Sequence, residues 1–228
     1  MKSREYSLRP RSLVFLAAGL LSLGMGLGAA SQGSATPGTV MDFDQDIAGQ
    51  APIGFTSYAT GEGPPGKWVV QKMADAPDGQ RVVVQTDADN TDNRFPVLIA
   101  DGGEYTDVEV RVKGKAISGQ VDQGIGLVFR FRDPRSYYVV RANALENNVR
   151  LYKMVDGRRI QITGSDIKVT SGQWHTLQVT ARGDHIACSF DGQKLFDVQD
   201  ATYAKGKVGL WTKADSVTAF AGLTVAKL

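Results

Sequence analysis

The amino-acid sequence predicts an all-β protein, a two-sheet antiparallel sandwich. Short runs of alternating apolar and polar residues recur about every 8 to 12 positions, separated by Gly, Asp and Asn turn residues. The pair Asp191-Gly192 is a hairpin dipeptide between two such runs. No long stretch with the period of a helix lies between the runs. This pattern is typical of two sheets that enclose one core.

Each strand is predicted from β-branched or aromatic residues bounded by turn residues. In chain order, the predicted strands are 66–72, 81–86, 96–100, 106–113, 124–132, 137–143, 148–155, 158–163, 176–182, 185–191, 193–197, 206–212 and 216–226.

Alternation within the strands predicts which side chains face solvent. In 106–113 the valines point one way, and Asp107 and Glu109 share the opposite, charged face. In 124–132 an apolar face of Leu127, Phe129 and Phe131 predicts that Arg130 points outward.

The next two strands add further arginines and tyrosines. Alternation places Arg141 on one face with Tyr137, and Arg150 on one face with Tyr152. If these strands are neighbours, one sheet face carries carboxylates, arginines and tyrosines together.

The N-terminal residues predict an exported protein. A basic start precedes an apolar run from Leu13 to Ala30, which is typical of a signal peptide and long enough to be read alternatively as an uncleaved anchor. We expect cleavage, no stable membrane insertion afterwards, a periplasmic or extracellular location, a flexible lead-in over 31–38 and one domain over 39–228.

The charge of the mature chain argues against polyanionic partners. Residues 1–30 hold four of the 26 basic and one of the 24 acidic side chains, which leaves 22 basic and 23 acidic side chains and a net charge of −1. Such a domain lacks the positive field that attracts nucleic acid or anionic membranes. Its single cysteine, Cys188, forms no intrachain disulfide and is expected to be buried and inert.

Four segments carry a family resemblance, namely 122–130, 136–142, 148–153 and the closing 206–217. They resemble the concanavalin A-like lectin/glucanase superfamily, and within it bacterial secreted laminin-G-like and 3-keto-disaccharide hydrolase-like domains. The resemblance covers roughly residues 40–228 and implies the jelly-roll fold. It implies an activity less directly, because such sandwiches serve lectins, adhesion modules and glycosidases alike.

Two departures narrow the chemistry. Many relatives close with Phe-Asp-Asp-Leu, whereas this chain has Phe-Ala-Gly-Leu over 220–223. Family 16 glycoside hydrolases need a strand Glu-x-Asp-x-x-Glu, and here Glu104 falls on the opposite face from Asp107 and Glu109. We therefore do not expect ordinary retaining glycosidase chemistry.

The leading hypothesis is carbohydrate binding on one sheet face, where guanidinium groups suit hydroxyl and carboxylate groups and aromatic rings can stack on a sugar. The candidate lining residues are Arg130, Arg141, Arg150, Tyr138, Tyr152 and Glu109. The alternatives without a ligand are a solvated strand face and a structural ion-pair network.

The alternative is an enzyme acting on 3-keto-glycosides, as the resemblance implies. A ketone at C3 acidifies the proton at C2, so one base and one cation suffice to expel the glycosidic oxygen. Glu109 or Asp107 would be the base, with Arg130 or Arg141 as the cation. A third alternative is a structural or adhesion module.

No cofactor or metal site is predicted. The two histidines lack metal-ligand spacing. Residues 87–93 are rich in Asp and Asn, which suggests a calcium site. They lack the glycine and glutamate of an EF-hand loop, and we expect an Asx-rich turn instead.

Overall fold

The computed structural model describes residues 38–228. The predicted signal peptide, 1–30, and all but the last residue of the predicted lead-in, 31–38, lie outside that range and stay predictions. Within the described range the regular structure is fifteen strands and no helix. They are β1 Thr39–Met41, β2 Phe55–Gly61, β3 Trp68–Lys72, β4 Arg81–Gln85, β5 Arg94–Ala100, β6 Val108–Ser118, β7 Gly124–Asp133, β8 Ser136–Asn143, β9 Asn148–Val155, β10 Arg158–Asp166, β11 His175–Arg182, β12 His185–Phe190, β13 Gln193–Gln199, β14 Lys207–Trp211 and β15 Val217–Lys227.

The strands form two antiparallel sheets. An eight-stranded sheet has the order β13-β12-β11-β6-β15-β4-β3, with β1 paired to the end of β15, and a seven-stranded sheet has the order β10-β9-β8-β7-β14-β5-β2. The main core between them contains the valines of β6 and residues such as Leu127 and Phe129 of β7. The predicted jelly-roll sandwich is confirmed.

All thirteen predicted strands form, and the structure adds two strands that the sequence pattern does not predict, β1 and β2. β1 has only three residues. β2 is an edge strand of sequence FTSYATG in which Thr60 is the single buried residue, so it carries little apolar alternation.

The seven-stranded sheet curls strongly, and its concave face points away from the eight-stranded sheet. The hydroxyl groups of Tyr137 on β8 and Thr60 on β2 lie 2.8 Å apart. Four strand spacings separate these strands, roughly 19 Å in a flat sheet, so the sheet must curl to bring the two side chains together. Aromatic and aliphatic side chains of five strands fill part of this face as a second core: Phe95, Val97, Ile99, Val128, Phe131, Tyr137, Val139, Tyr152, Met154 and Trp211.

Two glycines of β7 allow Trp211 to pack directly against the strand. Trp211 of β14 pairs with Gly126, and its ring lies over Gly124 and Gly126 while stacking on Phe95 at 5.6 Å. A Cβ at Gly126 would lie 2.7 Å from the Trp211 ring. The spacing Gly124-x-Gly126 is therefore a packing requirement.

Gly126→Ala is expected to lower the free energy of unfolding by about 1–3 kcal/mol, because an added methyl overpacks a rigid backbone contact. Urea unfolding measures the change. Gly103→Ala is the matched control, since nothing lies within 4 Å of a Cβ there. Equal midpoints for the two variants would contradict the packing role of Gly126.

Candidate functional site on the concave face of the seven-stranded sheet

Asp107 and Glu109 lie on the other sheet. Glu109 is on β6, and its neighbours Val108 and Val110 enter the main core, so both carboxylates face outward as the alternation predicts. Asp107 accepts a hydrogen bond from the backbone N–H of Gly183 at 2.9 Å. The prediction that these carboxylates share a face with the arginines is wrong, because β6 belongs to the eight-stranded sheet.

Arg130 points inward, and the prediction of an outward side chain is wrong. A β-bulge after Phe129 puts Arg130 at φ 49° and moves Phe131 into the concave cluster, so simple alternation fails here. The guanidinium group is 1% exposed and donates to the backbone carbonyls of Thr106, Gly183 and Tyr203 at 2.7–3.0 Å. Arg130 therefore connects the three loops to which these carbonyls belong.

Tyr138 also lies inside, in the main core. Its ring stacks on Phe129 at 5.2 Å, and its hydroxyl group donates to Asp200 at 2.5 Å. Burial raises the pKa of Tyr138 to about 12. Burial alone would raise the pKa of Asp200, but hydrogen bonds from Lys153, Thr202 and Tyr138 lower it overall. Tyr138 therefore does not share the concave face with Arg141.

Arg141, Arg150 and Tyr152 do come together on the concave face, since Arg141 pairs with Arg150 across β8 and β9. Arg141 lies 5.7 Å from the Tyr152 ring centroid. It donates to Asn148 and Glu146, both at 2.7 Å, and to the Tyr152 hydroxyl group at 3.3 Å.

Arg150 forms an outer part of the same face. Its side chain crosses Gly164 of β10, where a Cβ would lie 2.2 Å from the Arg150 Cδ, and donates to Asp166 at 2.6 Å. Three of the predicted lining residues thus share one surface.

Sequence reasoning missed Asp122 and Lys213, which complete this cluster. Lys213 lies in the loop after β14, and its Nζ is 3.4 Å from the Asp122 Oδ2 and paired with Asp92. Asp122 lies two residues before Gly124 and Lys213 lies two residues after Trp211. No local pattern distinguishes them, because only the pairing of β14 with β7 brings them together.

Asp215 fixes the turn that carries Asp122. Its carboxylate accepts hydrogen bonds from the backbone N–H groups of Gln120 at 2.5 Å, Val121 at 3.1 Å and Asp122 at 3.0 Å. Those donors offset burial and lower the pKa of Asp215. Ser216 accepts from the Gly124 N–H at 3.0 Å, so the loop after β14 is bonded directly to the start of β7.

Burial raises the pKa of Asp122 above its usual value, although Arg141 and Lys213 oppose that shift. The side chain is 0% exposed. Glu146 behaves differently: burial raises its pKa, but hydrogen bonds from Arg141 and Asn148 lower it overall. The two carboxyl groups beside Arg141 therefore have pKa values moved in opposite directions, as is common where a protein tunes groups for binding or proton transfer.

Several buried polar atoms in this cluster have no hydrogen-bond partner within residues 38–228. They are both carboxylate oxygens of Asp122, Nε of Arg141, Nδ2 of Asn143 and Nε1 of Trp211. Buried polar groups are almost always hydrogen-bonded, which makes these atoms candidates for pairing with water or a ligand.

Two further groups singled out in the sequence, the thiol of Cys188 and the Asx-rich segment 87–93, have structural roles. Cys188 is buried in the main core, and burial raises its pKa to about 12. Residues 87–93 form the predicted Asx turns, with Asp87 and Asp89 each accepting the N–H two residues ahead at 3.0 Å. Over the described part of the chain, no three His, Cys, Asp or Glu side chains cluster closely enough to hold a metal ion. No helix in that part could cross a membrane.

Asp122→Asn is expected to stabilise the protein increasingly as the pH rises above 3.8. A carboxyl group with a raised pKa in the folded state binds its proton more tightly when folded, so stability falls as the pH rises between the unfolded and folded pKa values. Asparagine does not ionise and removes that loss.

Thermal unfolding of both proteins between about pH 3 and pH 8 tests this. The measured quantity is the variant's Tm minus the wild-type Tm, in which unchanged groups such as Asp200 cancel. A difference that becomes smaller with rising pH would contradict the raised pKa of Asp122.

Comparison with known families and structures agrees with this fold. The profile of a family described as 3-keto-alpha-glucoside-1,2-lyase-like domain matches residues 49–225. A comparison with curated proteins finds no match.

Three solved structures show the same fold. Carbohydrate-binding module CBM66 from Bacillus subtilis superposes with a TM-score of 0.60 at 18% identity, covering 79% of this chain and 99% of that one. Domain 4 of AbnA, a GH43 extracellular arabinanase from Geobacillus stearothermophilus in complex with arabinotriose, gives 0.56 at 12% identity, covering 85% and 93%. The exoplasmic/lumenal domain of VIP36 in its Ca²⁺/Man-bound form gives 0.54 at 11%, covering 84% and 89%. At these identities the likeness concerns the fold alone.

Proposed function

The chain belongs to the 3-keto-alpha-glucoside-1,2-lyase-like domain family, and from this premise we propose that it binds carbohydrate on the concave face of the seven-stranded sheet. The observation that carries the proposal is the group of buried polar atoms around Asp122 and Arg141 that lack partners within residues 38–228. Sugar hydroxyl groups both donate and accept hydrogen bonds, so they can pair with carboxylate oxygens and with N–H groups at once.

The surroundings of these atoms support a sugar ligand. Arg141 and Lys213 supply charged donors, and each is already oriented by an ion pair, with Glu146 and Asp92 respectively. Tyr152 adds an aromatic ring beside the charged groups. The names of two structures with this fold, a carbohydrate-binding module and an arabinotriose complex, are consistent with such a ligand.

A second candidate function is cleavage of a glycoside oxidised at C3. The observation that favours it is the environment of Asp122. Its carboxyl group is buried, its pKa is raised, and the Lys213 ammonium group lies 3.4 Å away. Such a group is suited to take the C2 proton while Lys213 or Arg141 stabilises the enolate. The C1–O bond then breaks as the C1=C2 double bond forms, and the protonated Asp122 returns the proton to the leaving glycosidic oxygen. Asp122 therefore replaces Asp107 and Glu109 as the candidate base.

Lys213→Met is expected to weaken binding of the best ligand at least tenfold, because it removes a charged donor while keeping the length of the side chain. Isothermal titration calorimetry of the purified protein against a panel of neutral and acidic oligosaccharides measures the affinity. Lys194→Met is the matched control, since Lys194 lies on β13 of the other sheet and forms an ion pair with the exposed Asp197.

Thermal unfolding verifies that the Lys213→Met protein is folded, and Arg150→Gln repeats the test at a less buried position of the same face. Absence of binding to every saccharide, or unchanged affinity in both concave-face variants, would contradict the proposal and favour a structural or adhesion module.

Mass spectrometry after incubation with plain disaccharides and their 3-keto counterparts separates binding from cleavage. The second candidate predicts monosaccharide only from the keto forms, abolished by Asp122→Asn and retained by Glu109→Ala. No product from any substrate would exclude cleavage and leave binding intact.

A further inference from the structure

Arg159 is a fixed guanidinium group at the edge of the concave face. It lies on β10, next to the turn at Gly157, and its guanidinium carbon is 4.8 Å from the ring centroids of both Phe95 and Tyr152. Stacking between two rings holds the plane of the group and leaves little conformational freedom to lose when a ligand binds.

A cavity of about 430 Å³ opens beside this group, within the size range of small-ligand pockets. It lies where the β9–β10 turn approaches the end of β2 and the start of β5. Its lining residues include Gly61, Glu62, Asn93, Phe95, Arg158 and Arg159.

Arg159 has no carboxylate partner within residues 38–228. The other cations of the face are paired: Arg141 with Glu146, Arg150 with Asp166, and Lys213 with Asp92. No ion pair within 4.0 Å involves Arg159 or its neighbour Arg158 in that range, and the buried Nη1 of Arg159 has no hydrogen-bond partner there.

Two carboxylates lie near enough to influence the cavity. Glu62 lines the cavity but forms no ion pair with Arg159. The charge of Arg159 contributes to lowering the pKa of Asp92, but the Asp92 carboxylate is hydrogen-bonded to Lys213. The positive charge of Arg159 and Arg158 therefore remains available to a ligand.

We infer that the saccharide bound on the concave face carries a carboxylate group, as a uronic acid does, and that Arg159 receives this group. This inference rests on the proposed function and specifies its ligand class. A planar carboxylate matches the two parallel donors of a guanidinium fork, and a preoriented fork makes that pairing strong and directional.

The test compares an oligogalacturonide with its methyl ester, in which the carboxylate charge is removed and the sugar hydroxyl groups are kept. Calorimetry with wild-type protein is expected to show at least tenfold tighter binding of the free acid. Arg159→Gln is expected to abolish that preference, so that acid and ester bind this variant with equal affinity. Arg159→Lys is expected to retain only part of the preference, because an ammonium group lacks the planar fork.

Arg182→Gln is the charge-matched control, since Arg182 is exposed at the end of β11 in the other sheet. It should keep the full preference for the acid. Equal wild-type affinity for acid and ester, or a preference that survives Arg159→Gln, would overturn the inference. Binding of neutral saccharides without acid preference would overturn this inference alone, whereas no binding of any saccharide would overturn the proposed function with it.

If Arg159→Gln does not fold, the wild-type comparison of acid and ester and the Arg159→Lys variant still decide the question. Thermal unfolding identifies that case before calorimetry.

Discussion

The contact between Trp211 and the glycine backbone of β7 determines where the candidate site forms. Because Trp211 pairs with Gly126, the loop that follows β14 is placed against the turn before β7. Lys213 then meets Asp122, and Asp215 caps the turn that carries it. The same indole stacks on Phe95, which in turn contacts Arg159, so the polar cluster and the cavity share one aromatic support.

Electrostatics on the concave face follow from burial. Burial removes water from Asp122, and the charges of Arg141 and Lys213, the latter at 3.4 Å, offset this only in part, so desolvation dominates its pKa. Arg141 is better satisfied, with two charge-assisted hydrogen bonds that also orient Glu146. Arg130, in contrast, donates hydrogen bonds to three backbone carbonyls and has the structural role of connecting loops. The two arginines, which are close in sequence, thus have different roles, set by the carboxylate, amide and carbonyl groups around each.

The fold was readable from the sequence because alternation and turn residues are local properties. The resemblance to 3-keto-disaccharide hydrolase-like domains is confirmed by the family match. The prediction for Arg130 is wrong because a bulge breaks the two-residue period. The prediction for Tyr138 is wrong because its neighbour Tyr137 faces the concave side instead. Asp122, Lys213 and Arg159 carry no local pattern, since they come together only when the sheet pairs β14 with β7 and curls β10 toward β5.

A crystal structure of the protein with its tightest-binding oligosaccharide tests the central claim most directly. The account predicts sugar density on the concave face of the seven-stranded sheet, with hydroxyl groups near Arg141 and Lys213 and a carboxylate at Arg159. Density instead in the cavity on the outer face of the eight-stranded sheet, lined by Arg111, Lys113 and Thr176, would contradict it.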